Sequence, residues 1–131
     1  MLENFYKIID QMDKGENTGI ALPDRMKMEF TIELNKQHPV YEGHFPGNPV
    51  VPGVCQVQII KELLTLSLGK EVALVQSGNI KFLSMISPEH TPILNVRMEM
   101  KEPSLTGCEI NAVIYSGENI FIKFKGSFLF S

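Results

Sequence analysis

Several scarcities narrow the reading of this 131-residue chain before any motif is considered. Cysteine is nearly absent: Cys55 and Cys108 stand far apart, with neither a Cys-x-x-Cys pair nor a Cys/His ligand spacing. A disulfide framework and a structural zinc site are therefore not indicated, and both thiols are expected to be reduced and mostly buried. Cys55 falls in the opening turn of a predicted helix, where thiol acidity can rise, but no base is evident beside it and it is assigned no chemistry. Long apolar runs are also missing. No 18 consecutive apolar residues occur, and Met1-Leu2-Glu3-Asn4-Phe5 is not a basic segment leading into an apolar stretch. Neither a membrane span nor a signal peptide is expected, and the expected compartment is the cytoplasm. Charge of one sign is not concentrated anywhere: the net charge is −3, and lysine and arginine are scattered. The footprint of a nucleic-acid binder is missing.

What is present is ordinary globular composition, 44% hydrophobic and 21% charged. At this length it predicts a single domain over residues 1–131. Residues Arg25 to Leu34 alternate apolar and polar without error, the pattern of a strand with one wet face. Leu94 to Met100, Cys108 to Ile114 and Ile120 to Phe130 repeat it. The turn-rich joints Pro103-Ser104-Leu105-Thr106-Gly107 and Ser116-Gly117-Glu118-Asn119 predict an antiparallel meander. Val72 to Gln76 and Asn79 to Met85 read as two shorter strands broken by Ser77-Gly78, and Phe5 to Met12 is open between strand and short helix. One segment reads as helix, from Pro52-Gly53 to Gly69. Its apolar residues Val54, Val57, Ile59, Ile60, Leu63, Leu64, Leu66 and Leu68 spread around much of the circumference, which predicts a largely buried helix.

The segment leading into that helix, His44-Phe45-Pro46-Gly47-Asn48-Pro49-Val50-Val51-Pro52-Gly53, carries the chemistry. Three prolines and two glycines in ten residues fix φ at some positions and free it at others, so the path of the chain is set before anything binds. His44 is thereby held at a defined place, and an imidazole with an unperturbed pKa of about 6.5 can accept a proton near neutral pH.

This segment resembles the signature of the 3-hydroxyacyl-acyl-carrier-protein dehydratases, His-Phe-x-Gly-x-Pro-x-x-Pro-Gly running into a long central helix, and every fixed position matches. The pattern of one buried helix between an early strand and a run of antiparallel strands is similar to that family's fold over about the whole chain. The resemblance implies an α+β hot-dog fold, in which an antiparallel sheet wraps around one long central helix. It implies dehydration of 3-hydroxyacyl thioesters to trans-2-enoyl thioesters in fatty-acid or related acyl and polyene biosynthesis. The acyl group would ride on the phosphopantetheine arm of acyl carrier protein, and no metal or soluble cofactor would take part. In that reading His44 is the base, the Gly53 and Val54 N–H groups at the helix start receive the thioester oxygen, and Phe45 and Val51 are packing residues or walls of the acyl pocket. The family places its catalytic carboxylate where this chain has Gln58, an amide that neither releases nor takes up a proton near neutral pH. Many members carry glutamine one turn later, where this chain has Glu62. Positions four apart share a helix face, so the same two groups are present in reversed order, with Glu62 about 6 Å further along. Glu62 is the candidate acid, directly or through a water, and Gln58 the residue that orients the substrate hydroxyl. Glu42 is a further carboxylate near the loop, whereas His38 and His90 read as surface or turn residues.

Two other readings stay open. Related hot-dog proteins hydrolyse acyl thioesters, so the chain could be a thioesterase. It could also be a non-catalytic acyl-binding subunit that depends on an active hot-dog partner for its carboxylate. A sheet around one helix leaves an edge to cover, so a homodimer or trimer of dimers is expected, with a heterodimer as the variant.

Overall fold

The computed structural model describes residues 3–15, 25–41, 49–101 and 103–130. Its elements are β1 (Tyr6–Gly15), β2 (Arg25–Leu34), α1 (Gly53–Leu68), β3 (Val72–Phe82), β4 (Ile93–Lys101), β5 (Gly107–Ser116) and β6 (Asn119–Phe130), with a short 3-10 turn at Pro39–Tyr41. The six strands form one sheet in the order β1-β2-β4-β5-β6-β3, antiparallel at every joint. This is an α+β hot-dog fold, the sheet wrapping the single helix.

Alternation places the core as the sequence predicts. Met28, Phe30, Ile32 and Leu34 of β2 are buried, as are Leu94, Val96, Met98 and Met100 of β4 and Cys108, Ile110, Ala112 and Ile114 of β5. Against them lie Ile59, Ile60, Leu63 and Leu64 of α1, in one continuous cluster. Each such side chain contributes about 1.5–3 kcal/mol on burial, so this cluster fixes which face of the helix turns inward. The helix begins after Pro52, whose φ of −59° suits a helix entry, and ends at Gly69, which adopts φ 69° and donates its N–H to the Thr65 carbonyl.

Two expectations are corrected. The helix is buried along one face only: Val54 is 76% exposed and Leu66 54% exposed within a single copy. Among the described residues, the sheet covers one face of the helix and leaves the apolar side chains of Val54 and Leu66 uncovered. The segments expected as two strands are one, β3, which keeps its pairing with β6 through register shifts at Leu74/Gln76 and Ser77/Asn79 and stops at Phe82 rather than Met85. Ser77-Gly78 is thus an irregularity inside a strand, absorbed as a bulge, and not a turn. The open segment resolves as a strand, because β1 pairs with β2 from Tyr6↔Leu34 to Gly15↔Met26.

β1 and β3 are the two edges. β3 is exposed along nearly all its length. Apolar side chains gather there and just beyond it: Leu74, Val75, Phe82, Leu83 and Met85 are all solvent-facing.

Candidate active site

The N-terminal residues are tied down by His38. Its Nδ1 accepts the Val40 N–H at 3.1 Å, so the ring proton sits on Nε2, which donates to the Glu3 carbonyl at 3.0 Å. The Asn35 N–H donates to the Phe5 carbonyl and the Asn35 amide to the Asn4 carbonyl. Phe5 is fully buried, its ring edge-on to His38 with centroids 5.1 Å apart. His38 is therefore a structural residue of this corner. The next residue, Tyr6, is delivered to the helix: its hydroxyl donates to Glu62 Oε1 at 3.0 Å. The Gln58 amide donates to Glu62 Oε2, also at 3.0 Å. Each carboxylate oxygen thus accepts from a different element, one donor from β1 and one from α1. Burial, then the charge of Glu62 and the hydrogen bond to it, push the Tyr6 hydroxyl well above the ordinary phenol range. Tyr6 acts there as a fixed donor and not as a titrating acid.

Gln58, Lys61, Glu62, Thr65, Leu66 and Glu71 line a concavity of about 400 Å³ on the outward face of α1. Glu62 lines this space, and Tyr6 holds its carboxylate from β1. Gln58 and Glu62, paired from their spacing, are therefore brought together by a direct hydrogen bond. Tyr6 is the member that sequence reasoning missed, and no motif or period marks it.

The helix start is clamped from two sides. The Val51 N–H donates to the Ile86 carbonyl at 2.9 Å, and the buried Gln56 amide reaches back to the Val51 carbonyl at 3.3 Å. Val51 is buried in the core, whereas Val54 is exposed. The first N–H groups of α1, including those of Gly53 and Val54, have no acceptor within the helix and carry its partial positive charge. At Gly53 the nearest group is the Phe82 ring: a Cβ there would lie 2.8 Å from Phe82 Cζ. Cys55 lies in this opening turn, but its thiol is buried and pushed up, not lowered. Burial does the same to Tyr41, pushed up to about 12 with the charge of Cys55 a smaller cause. His44, Phe45 and Glu42 lie outside the described residues.

Basic residues scattered in sequence gather on the sheet. Lys81, Arg97, Lys123 and Lys125 line another concavity of about 400 Å³. Two of these cations are partly neutralised, Arg97 by Glu29 at 2.9 Å and Lys125 by Glu109 at 3.5 Å. Among the described residues, no helix is long and apolar enough to cross a membrane.

Comparison with known proteins places this geometry in a family. Residues 21–116 match the ApeI-like family model, described as ApeI dehydratase. The chain belongs to the ApeI-like dehydratase family. The 3-hydroxyacyl-acyl-carrier-protein dehydratase FabZ of Oenococcus oeni is 26% identical to this ApeI-like chain over 98 residues, covering 70% of it and 69% of the relative. Among solved structures, the dehydratase heterocomplex ApeI:P from Xenorhabdus doucetiae superposes with a TM-score of 0.63 at 14% identity, covering 94% of this chain and 96% of that one. A hypothetical thioesterase protein with coenzyme A from Streptococcus pneumoniae superposes with a TM-score of 0.59 at 16% identity, covering 96% of this chain and 85% of that one. The structural likenesses establish the hot-dog fold for this family member, and the family match adds the dehydratase lineage.

Proposed function

We propose that the protein interconverts 3-hydroxyacyl and trans-2-enoyl thioesters, its site formed where the outward face of α1 in one copy meets the His44 loop of a second. The observation that carries this reading is the Glu62 carboxylate held toward a concavity by Tyr6 and Gln58 on the helix face that its own sheet leaves uncovered. In the dehydration direction His44 removes the α proton, the electron pair becomes the new Cα=Cβ bond, and the β C–O bond breaks as Glu62 gives its proton to the departing oxygen, releasing water. Gln58 donates to Glu62 through its amide nitrogen, which leaves its carbonyl oxygen to accept from the substrate hydroxyl. The thioester oxygen, which gains charge as the α proton leaves, sits against the Gly53 and Val54 N–H groups, with Val51 and Phe45 bordering the acyl chain.

A second copy supplies what one chain leaves open. The uncovered edge of β3, with Val75 and Phe82 exposed, continues beside the exposed Val54 of the helix start. A homodimer is the simplest assembly, and a heterodimer is the variant, in keeping with the neighbouring dehydratase that is itself part of a heterocomplex. The acyl carrier is acyl carrier protein, as the FabZ relative's name states for that enzyme.

One observation favours a second reading. The Glu62 oxygens accept from Tyr6 and Gln58, an acceptor arrangement that suits a base that activates water, as a thioesterase needs. A single pair of assays separates the two. Crotonyl and 3-hydroxyacyl thioesters are followed by the absorbance of the conjugated enoyl thioester, and acyl thioesters by release of free thiol. A dehydratase changes the first signal without the second, and His44→Ala abolishes the change. Gain of thiol without enoyl turnover makes the protein a thioesterase. If the wild type is inert and Gln58→Glu becomes active, the natural site is a partner subunit's incomplete half.

A further inference from the structure

Tyr6 belongs to none of the elements that carry the loop signature, yet its hydroxyl reaches the proposed acid from outside the helix. From this juxtaposition we infer that Tyr6 is a positioning residue for the reaction, fixing the orientation of the Glu62 carboxyl. The inference rests on the proposed role of Glu62 and adds a residue to it.

Geometry is the first support. Glutamate carries three rotatable bonds, and at about 6 Å beyond the usual carboxylate position it reaches a substrate only if those bonds are fixed. Gln58 alone, on the same helix, restrains one oxygen and moves with the helix. Tyr6 restrains the other from the sheet, so the carboxyl plane is defined by two elements at once. The second support is the rigidity of the donor. Tyr6 follows the buried Phe5, and the segment before it is held by His38 and Asn35 through hydrogen bonds of 2.8–3.0 Å. A tyrosine needed only for packing would not require its hydroxyl aimed at a carboxylate.

The test uses the full chain and three variants: Tyr6→Phe, Glu62→Gln and the double variant. Relaxation of the Glu62 side-chain 13C nuclei gives a readout of carboxyl order independent of turnover, and kcat and KM for crotonyl-thioester hydration give the second. Tyr6→Phe is expected to loosen the Glu62 side chain and to lower kcat about tenfold, the size expected when a charge-assisted hydrogen bond is lost. kcat should fall and KM stay, because Tyr6 does not touch substrate. Adding Tyr6→Phe to Glu62→Gln should cost nothing further. An unchanged order of the Glu62 side chain in Tyr6→Phe, or an undiminished extra loss in the double variant, overturns the inference while leaving Glu62 in its role. Full activity of Glu62→Gln instead removes Glu62 from the reaction, and the part assigned to Tyr6 with it.

Discussion

Two glycine-to-alanine replacements, identical on paper, should separate a packing role from a substrate role. At Gly107, the first residue of β5, an added Cβ runs into the backbone carbonyl of Phe128 and lies 3.4 Å from Leu129 Cα. Backbone inside a paired ladder cannot swing aside, and overpacking of this kind costs typically about 1–3 kcal/mol. For a domain of this size that is a drop in Tm of about 4–12 °C. At Gly53 the same methyl meets only the tip of the Phe82 ring, at 2.8 and 3.0 Å. That ring is 54% exposed and can rotate outward. Alanine also removes the helix penalty of glycine, up to about 1 kcal/mol, so the two effects nearly cancel and Tm should stay within about 2 °C. If the Gly53 N–H receives the thioester oxygen, the methyl nevertheless displaces the substrate, and misplacement by about 1 Å can cost a hundredfold in rate. Thermal unfolding by circular dichroism and turnover of crotonyl thioester are the two assays. A Gly53→Ala protein as destabilised as Gly107→Ala refutes the reading of Phe82 as a movable neighbour. One that is stable and fully active refutes the placement of substrate at the helix start.

Two further outcomes follow from the same structure. Burial raises the Cys108 thiol from its ordinary 9.0 to about 11. The unfolded chain therefore loses this proton first, and stability present below pH 9 should decline as pH rises toward 11, with Cys108→Ala flattening that decline in urea titrations. At the open sheet edge, Val75→Lys should lower the mass measured by light scattering to that of one chain and abolish turnover without changing the far-ultraviolet spectrum. Retention of both mass and activity would place the second copy elsewhere.

Much of the fold was legible because one physical pattern dominates it. β2, β4 and β5 each bury one face and wet the other, so a period of two survives in their sequences and names the core residues directly. β3 was misread for the opposite reason. As an edge strand it is exposed on both faces and bulged twice, so neither burial nor pairing imposes a clean alternation. The helix boundaries were readable from Pro52 and Gly69, but its burial was not. Apolarity at Val54 and Leu66 reports a surface that the described residues leave bare. At the site, Gln58 and Glu62 could be paired because helical spacing is local. Tyr6 could not, since its contact spans 56 residues and depends on how the corner built by Phe5, Asn35 and His38 presents it.

Catalysis as proposed requires that Glu62, and not a residue at the position of Gln58, gives the proton to the departing β oxygen. Hydration of a crotonyl thioester by Glu62→Gln, compared with wild type at equal folded concentration, measures this directly. The glutamine is nearly isosteric and can still meet Tyr6 and Gln58, so a loss reports chemistry and not collapse. If Glu62 is the acid, the rate falls at least about a hundredfold, the lower end of what a positioned acid or base contributes. A variant that turns over at the wild-type rate would contradict it.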